Sequence, residues 1–146
     1  MLILLLLTFA SCLFMTGVIW VIQLVHYPSF FFVSDYWFAD FHHFHTRSII
    51  LIVGPVMAVE LGTALSLPFF YFSQLPLAFN ISQCALVLLT WAITGLRFVP
   101  LHDQLGIKNE SDTIDKLVAN NWSRTVVWTG RSIILSWMIY SMLAAK

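Results

Sequence analysis

The chain has 146 residues, 60% of them hydrophobic and only 10% charged, with a formal net charge of zero and a mean hydropathy of +0.87. Soluble domains carry about 25% charged residues, so this chain lacks the polar surface that water demands, and the solvent it implies is lipid. The length leaves room for one domain, the charge balance points away from nucleic acid, and Cys12 and Cys84 lack the spacing of a disulfide framework or a c-type haem site.

A spanning helix takes about 20 mostly apolar residues, and four stretches qualify, near residues 2–26, 44–67, 76–99 and 118–144. The first has no Lys or Arg in its opening seven residues and stays apolar to Val25. That run is too long for a signal-peptide core, so an uncleaved helix is expected. Pro28 is expected to end or bend it. Residues 28–44 are crowded with Phe30, Phe31, Phe32, Tyr36, Trp37, Phe38, Phe41 and Phe44. Such aromatics collect at the headgroup level, so an interfacial helix capped at Ser34 or Asp35 is expected to lead into the second span.

Within that span Pro55 is expected to kink the helix. Gly54, Ala58 and Gly62 form a stripe of small residues that admits another helix, either inside the bundle or in an oligomer or complex. Pro68 and Pro76 bracket a short turn, and Pro100 is expected to close the third span. The polar connection 101–117 is expected to lead into the fourth helix, with Asp112 capping a turn that carries Ile114 and Leu117 at helical spacing. The expected fold is all-α: a single membrane domain, an up-down bundle of four helices with an interfacial aromatic helix before the second span.

Alternating helix directions bring both long connections to one side. His26, His42, His43, His45, Arg47, Arg97, His102, Asp103, Asn121 and Arg124 all gather near that face, whereas the other face has little that ionises beyond the terminal amine and Lys146. Lys and Arg near span ends favour the cytoplasm, so the histidine-bearing face is expected there and both termini opposite. Helical phase sharpens the picture. His42 and His45 share a face, and Glu60, five turns after His42, returns to the same stripe. Asn121, Arg124, Trp128 and Arg131 follow one stripe of the last helix. Glu60 and Arg131 fall well inside the hydrocarbon, where an ionisable group normally needs a partner. They are the expected pair, either as part of the site or as a structural clamp.

Imidazole ligates transition metals through neutral nitrogen and titrates near neutral pH. His26, His42, His45 and His102 are therefore candidate ligands for a metal, and two of them on different helices for a haem. Proton transfer, binding of a polar ligand group and a plain structural use are the other readings of the same residues. No HExxH motif is present, and the nearby carboxylates Asp35, Asp40 and Asp103 are too few for a carboxylate-rich di-iron centre.

Three patches carry a resemblance: Gln23-Leu24-Val25-His26-Tyr27-Pro28, then Phe98-Val99-Pro100-Leu101-His102, then Asn121-Trp122-Ser123-Arg124-Thr125 with Trp128 and Arg131. Together, over about a quarter of the chain, they resemble the anthrone-oxygenase-like family of small four-helix membrane proteins. The resemblance implies a four-helix fold and oxygenation of a polycyclic aromatic; the Phe41-His42-His43-Phe44-His45 cluster has no counterpart in that pattern.

Two functions are thus expected to compete. In one, a lipid-accessible pocket acts on an apolar aromatic or quinone-like molecule, as an oxidoreductase or oxygenase, with His26, His42, His45, Glu60, Arg124 and Arg131 as the working residues, with or without metal or haem. In the other, the chain is a non-catalytic membrane subunit or binding protein whose polar face docks a partner.

Overall fold

The computed structural model describes residues 2–71 and 75–144. They form four helices long and apolar enough to cross a membrane: α1 (Ile3–Phe32), α2 (Asp35–Tyr71), α3 (Leu77–Ile107) and α4 (Ser111–Ala144). No strand occurs among the described residues. The chain is an all-α, multi-pass membrane bundle.

Neighbours in sequence pack antiparallel, and α4 closes the ring against α1. Side-chain bonds show the α1–α4 register, from Thr16 with Ser132 near the middle to Gln23 with Asn121 and Tyr27 with Arg124 toward one end. The core between the four helices holds Leu5, Cys12, Met15, Ile19, Phe30, Leu67, Leu117, Trp128 and Leu135. Leu7, Leu13, Ile50, Leu51, Leu88 and Ile133 are exposed, as lipid-facing residues must be when the solvent is as apolar as the core.

Pro28, expected to end or bend its helix, and Pro100, expected to close one, both sit within a helix. Tyr27 N–H bonds back five residues to the Ile22 carbonyl, and Val99 N–H to that of Thr94, so a π turn ends one residue short of each proline, Ile22–His26 in α1 and Thr94–Phe98 in α3. Proline lacks an N–H and its ring presses on the carbonyl four residues back. A widened turn just before it relieves that crowding, and the helices continue to Phe32 and Ile107. Each inserted residue also turns the downstream face by about 100°.

The aromatic segment is shared between the end of α1 and the first turns of α2, which runs unbroken from Asp35 through Pro55 and Pro68. Pro68 therefore lies inside α2 rather than at its edge, the helix takes up residues 69–71 of the turn expected before Pro76, and residues 72–74 of that turn lie outside the described residues. The carboxylate of Asp35 accepts a bond from Asn109 Nδ2 at 2.6 Å, tying the two long connections together. In the second connection Lys108 donates to Glu110 at 2.8 Å; this hydrogen bond raises the lysine's pKa and lowers that of the glutamate.

The stripe of Gly54, Ala58 and Gly62 does not pack inside the bundle. Ala58 and Gly62 are exposed, and a Cβ on Gly62 would meet nothing within 4 Å. Met57, Glu60, Ala64 and Leu67 face inward instead, because burying Glu60 against Arg131 sets the rotation of α2.

Candidate functional site

Polar side chains inside the bundle fall into two layers. The deeper one centres on Glu60 and Arg131, both fully buried and paired at 2.5 Å. Trp128 Nε1 donates to both carboxylate oxygens at 3.1 and 3.0 Å, and Arg131 Nε reaches Gln83 Oε1 at 3.4 Å. A charge at this depth costs several kcal/mol unless it is paired, which is why these two residues find each other. Neither lines a cavity described below; they clamp α2 to α4.

The second layer lies near the end of the bundle where the long connections run. α1 brings Gln23, His26 and Tyr27, α2 His42 and His45, α3 Phe98 and His102, α4 Asn121, Arg124 and Thr125. His26 Nε2 and His45 Nδ1 are 2.6 Å apart, and His42 Nε2 and His102 Nδ1 3.1 Å. The His45 and His102 rings lie 5.4 Å apart between centroids, which joins the pairs into one cluster. His43, one residue from His42, is exposed. These contacts bring His26, His42, His45 and His102 into one cluster, which Arg124 reaches through Tyr27.

The four imidazoles do not form a ligand shell. Five of their eight nitrogens are bonded to one another or to Tyr27, and no group of three or more His, Cys, Asp or Glu among the described residues is arranged to hold a metal ion. His45 Nε2 is buried without a hydrogen-bond partner at the centre of the cluster.

Arg124 is the most unusual residue of this layer. It is 7% exposed, yet the ion pairs among the described residues are Arg131–Glu60 and Lys108–Glu110, so its charge has no carboxylate partner. Its Nε and Nη2 donate to Asn121 Oδ1 at 3.0 and 2.6 Å, and Nη2 also donates to the Tyr27 hydroxyl at 3.0 Å. The guanidinium carbon lies 3.5 Å from the centroid of the Phe98 ring, a cation–π contact. Asn121 is itself held by Gln23 Oε1, which accepts from its amide at 2.9 Å. Neutral groups thus orient the guanidinium without cancelling its charge.

Beside Arg124 lies a cavity of about 330 Å³. Its walls are mainly Met15, Ile19, Ile22, Val53, Met57 and Phe98, and its polar edge is Tyr27, His102, Asp103 and Arg124. An apolar groove of about 610 Å³ between α1 and α2, with His26 and His45 at its head, shares Ile22 and Ile49 with that cavity. A polar cleft of about 300 Å³, lined by His42, His43, Asp103 and Gly106, shares Thr46, His102 and Asp103 with it on the other side.

The histidines and Arg124 stand out in the sequence as site residues, whereas Tyr27 and Phe98 enter there only as members of the resembling patches and Gln83 not at all. A phenol beside a helix-interior proline, and Asn80, Gln83 and Thr90 on one stripe of an apolar span, were the signals.

Fold and site together define a class: a four-helix membrane protein with a buried cationic and imidazole site between a lipid-facing groove and a polar cleft. Comparison of the chain with family models, curated proteins and solved structures finds no match.

Proposed function

We propose that this protein binds an apolar aromatic ketone or quinone-like molecule taken from the bilayer and exchanges a proton with it. The observation that carries the reading is Arg124: a buried cation without a carboxylate partner, at the edge of an apolar cavity. Burying a charge is costly unless something compensates it. A ligand oxygen that carries or develops negative charge is the complement, and the apolar walls suit the ring system behind it.

The chemistry follows from what touches that oxygen. When a C–H bond conjugated with the carbonyl breaks, its electron pair moves onto the oxygen, where Arg124 stabilises it. The proton passes to Tyr27, whose own proton passes to His102 Nε2, 3.1 Å away. The resulting enolate or phenolate is electron-rich enough to react with dioxygen, the chemistry that the resemblance to anthrone-oxygenase-like proteins implies. The groove between α1 and α2 supplies a path from lipid, with Ile22 and Ile49 as the shared wall. None of these steps needs a metal.

The reading is tested with purified protein in lipid nanodiscs, by quenching of tryptophan fluorescence with anthrone and with anthracene, its hydrocarbon counterpart. Trp128 lines the cavity and reports on its filling. Anthrone is expected to bind at least about tenfold more tightly, the lower end for a hydrogen bond to a charged group. Equal affinity for both would overturn the reading.

A second reading, a non-catalytic subunit of a larger complex, is favoured by the outward stripe of Gly54, Ala58 and Gly62. Purification with a stoichiometric partner and no preference for the ketone supports it. In either case the histidine-bearing face is expected in the cytoplasm, because Arg47, Arg97, Lys108, Lys116 and Arg124 lie toward it. A reporter active only outside the cytoplasm, fused after Lys146, is expected to be active; one active only inside the cytoplasm should be silent there.

A further inference from the structure

The hydrogen bonds around Tyr27 have a direction, and it follows from the donor inventory. Arginine has donors only, so in the bond with Arg124 the Tyr27 oxygen accepts. The single phenolic proton then has one partner left within reach, His102 Nε2. Were His102 to donate there instead, the Tyr27 proton would be buried without an acceptor, a cost of about 1–3 kcal/mol. A neutral imidazole carries one proton, so with Nε2 accepting, His102 carries its proton on Nδ1. That nitrogen faces His42 Nε2 at 3.1 Å, which must accept in turn, leaving the His42 proton on Nδ1. His42 lines the polar cleft, and a Cβ added to Gly106 would stand 3.9 Å from its Nδ1.

We propose that Tyr27, His102 and His42 form a directed proton path from the apolar cavity to the polar cleft. One passage balances as follows. A proton from the cavity joins the Tyr27 oxygen, the Tyr27 proton moves to His102 Nε2, the Nδ1 proton of His102 moves to His42 Nε2, and the Nδ1 proton of His42 leaves into the cleft. Each group gains one proton and loses one. The chain is then reversed, and a proton arriving at His42 Nδ1 resets it by delivering one to the cavity. Removal of a proton from a bound molecule and its later return use the same three side chains. His26 and His45 stand apart from this path, because their shared bond at 2.6 Å links them to each other at the head of the lipid-facing groove.

The path takes its donor from the ligand reading above, but its polarity is testable without any ligand. Protein labelled with ¹⁵N at histidine is examined by NMR in nanodiscs, with signals assigned by single substitutions His42→Gln and His102→Gln. His102 and His42 are both expected as the Nδ1–H form. In Tyr27→Phe the constraint on His102 is lifted, and a substantial Nε2–H population is expected to appear there. Exchange of the His102 Nδ1 proton with deuterated solvent is expected to slow at least several-fold in His42→Gln. An Nε2–H form of His102 in the unsubstituted protein, no tautomer change in Tyr27→Phe, or unchanged exchange in His42→Gln would each overturn the path. Failure of anthrone to bind with the tautomers as expected would sink the ligand reading and leave the path standing.

Discussion

Glu60→Ala is expected to lower stability by about 3–5 kcal/mol, the range for removing one partner of a buried ion pair. The loss has two parts. Arg131 is left fully buried with its charge uncompensated, and Trp128 loses the two oxygens to which its Nε1 donates. Little can relax to help, because both side chains are fully buried and Arg131 Nη2 has no hydrogen-bond partner in the protein even with the pair intact. Removing both charges, as Glu60→Leu with Arg131→Leu, is expected to recover more than half of the loss, since a well-packed apolar pair often replaces a buried ion pair without penalty. Unfolding in mild detergent titrated with a denaturing one measures both. A Glu60→Ala protein as stable as the parent would show that Arg131 finds another partner, and a double variant no better than the single would place the loss in packing.

The second large effect is expected at Arg124. Arg124→Ala should weaken binding of an aromatic ketone by about 1.5–3 kcal/mol, the range for a hydrogen bond to a charged group, or roughly 10- to 150-fold. Affinity for the hydrocarbon of the same shape should change by less than about threefold. The contrast arises because Arg124 supplies charge at one edge of the cavity while Met15, Ile19, Met57 and Phe98 supply its walls. Arg124→Lys is expected to recover only part of the loss. An ammonium keeps the charge but not the planar fork that bonds Asn121 and Tyr27 together while lying on Phe98. Fluorescence quenching with the ketone and the hydrocarbon checks all three proteins. A parallel loss for both ligands would mean that the cavity had collapsed and would remove the charge from the argument.

Much of this molecule is legible in its amino-acid sequence. Four apolar stretches of spanning length give four helices, because a backbone in lipid must satisfy its hydrogen bonds internally. Their alternation brings His26, His42, His45, His102 and Arg124 to one level. Glu60 and Arg131 were recognisable as partners because a lone charge in hydrocarbon is too costly to leave unpaired.

Other features depended on contacts that periodicity does not encode. A proline in an apolar run signals either an end or a distortion, and which of the two occurs at Pro28 and Pro100, a π turn within a continuing helix, is seen only in the folded chain. Those turns shift the phase of everything after them, so the inward position of Tyr27, and with it the bond to Arg124, lay beyond any fixed 3.6-residue rule. The stripe of Gly54, Ala58 and Gly62 shows the same division. Its spacing makes close approach possible, but the pairing of Glu60 with Arg131 turned it outward. The histidines, too, were placed at one depth by topology, while the tertiary fold made them partners of one another and of Tyr27, a matter of ångströms that spacing along a chain does not specify.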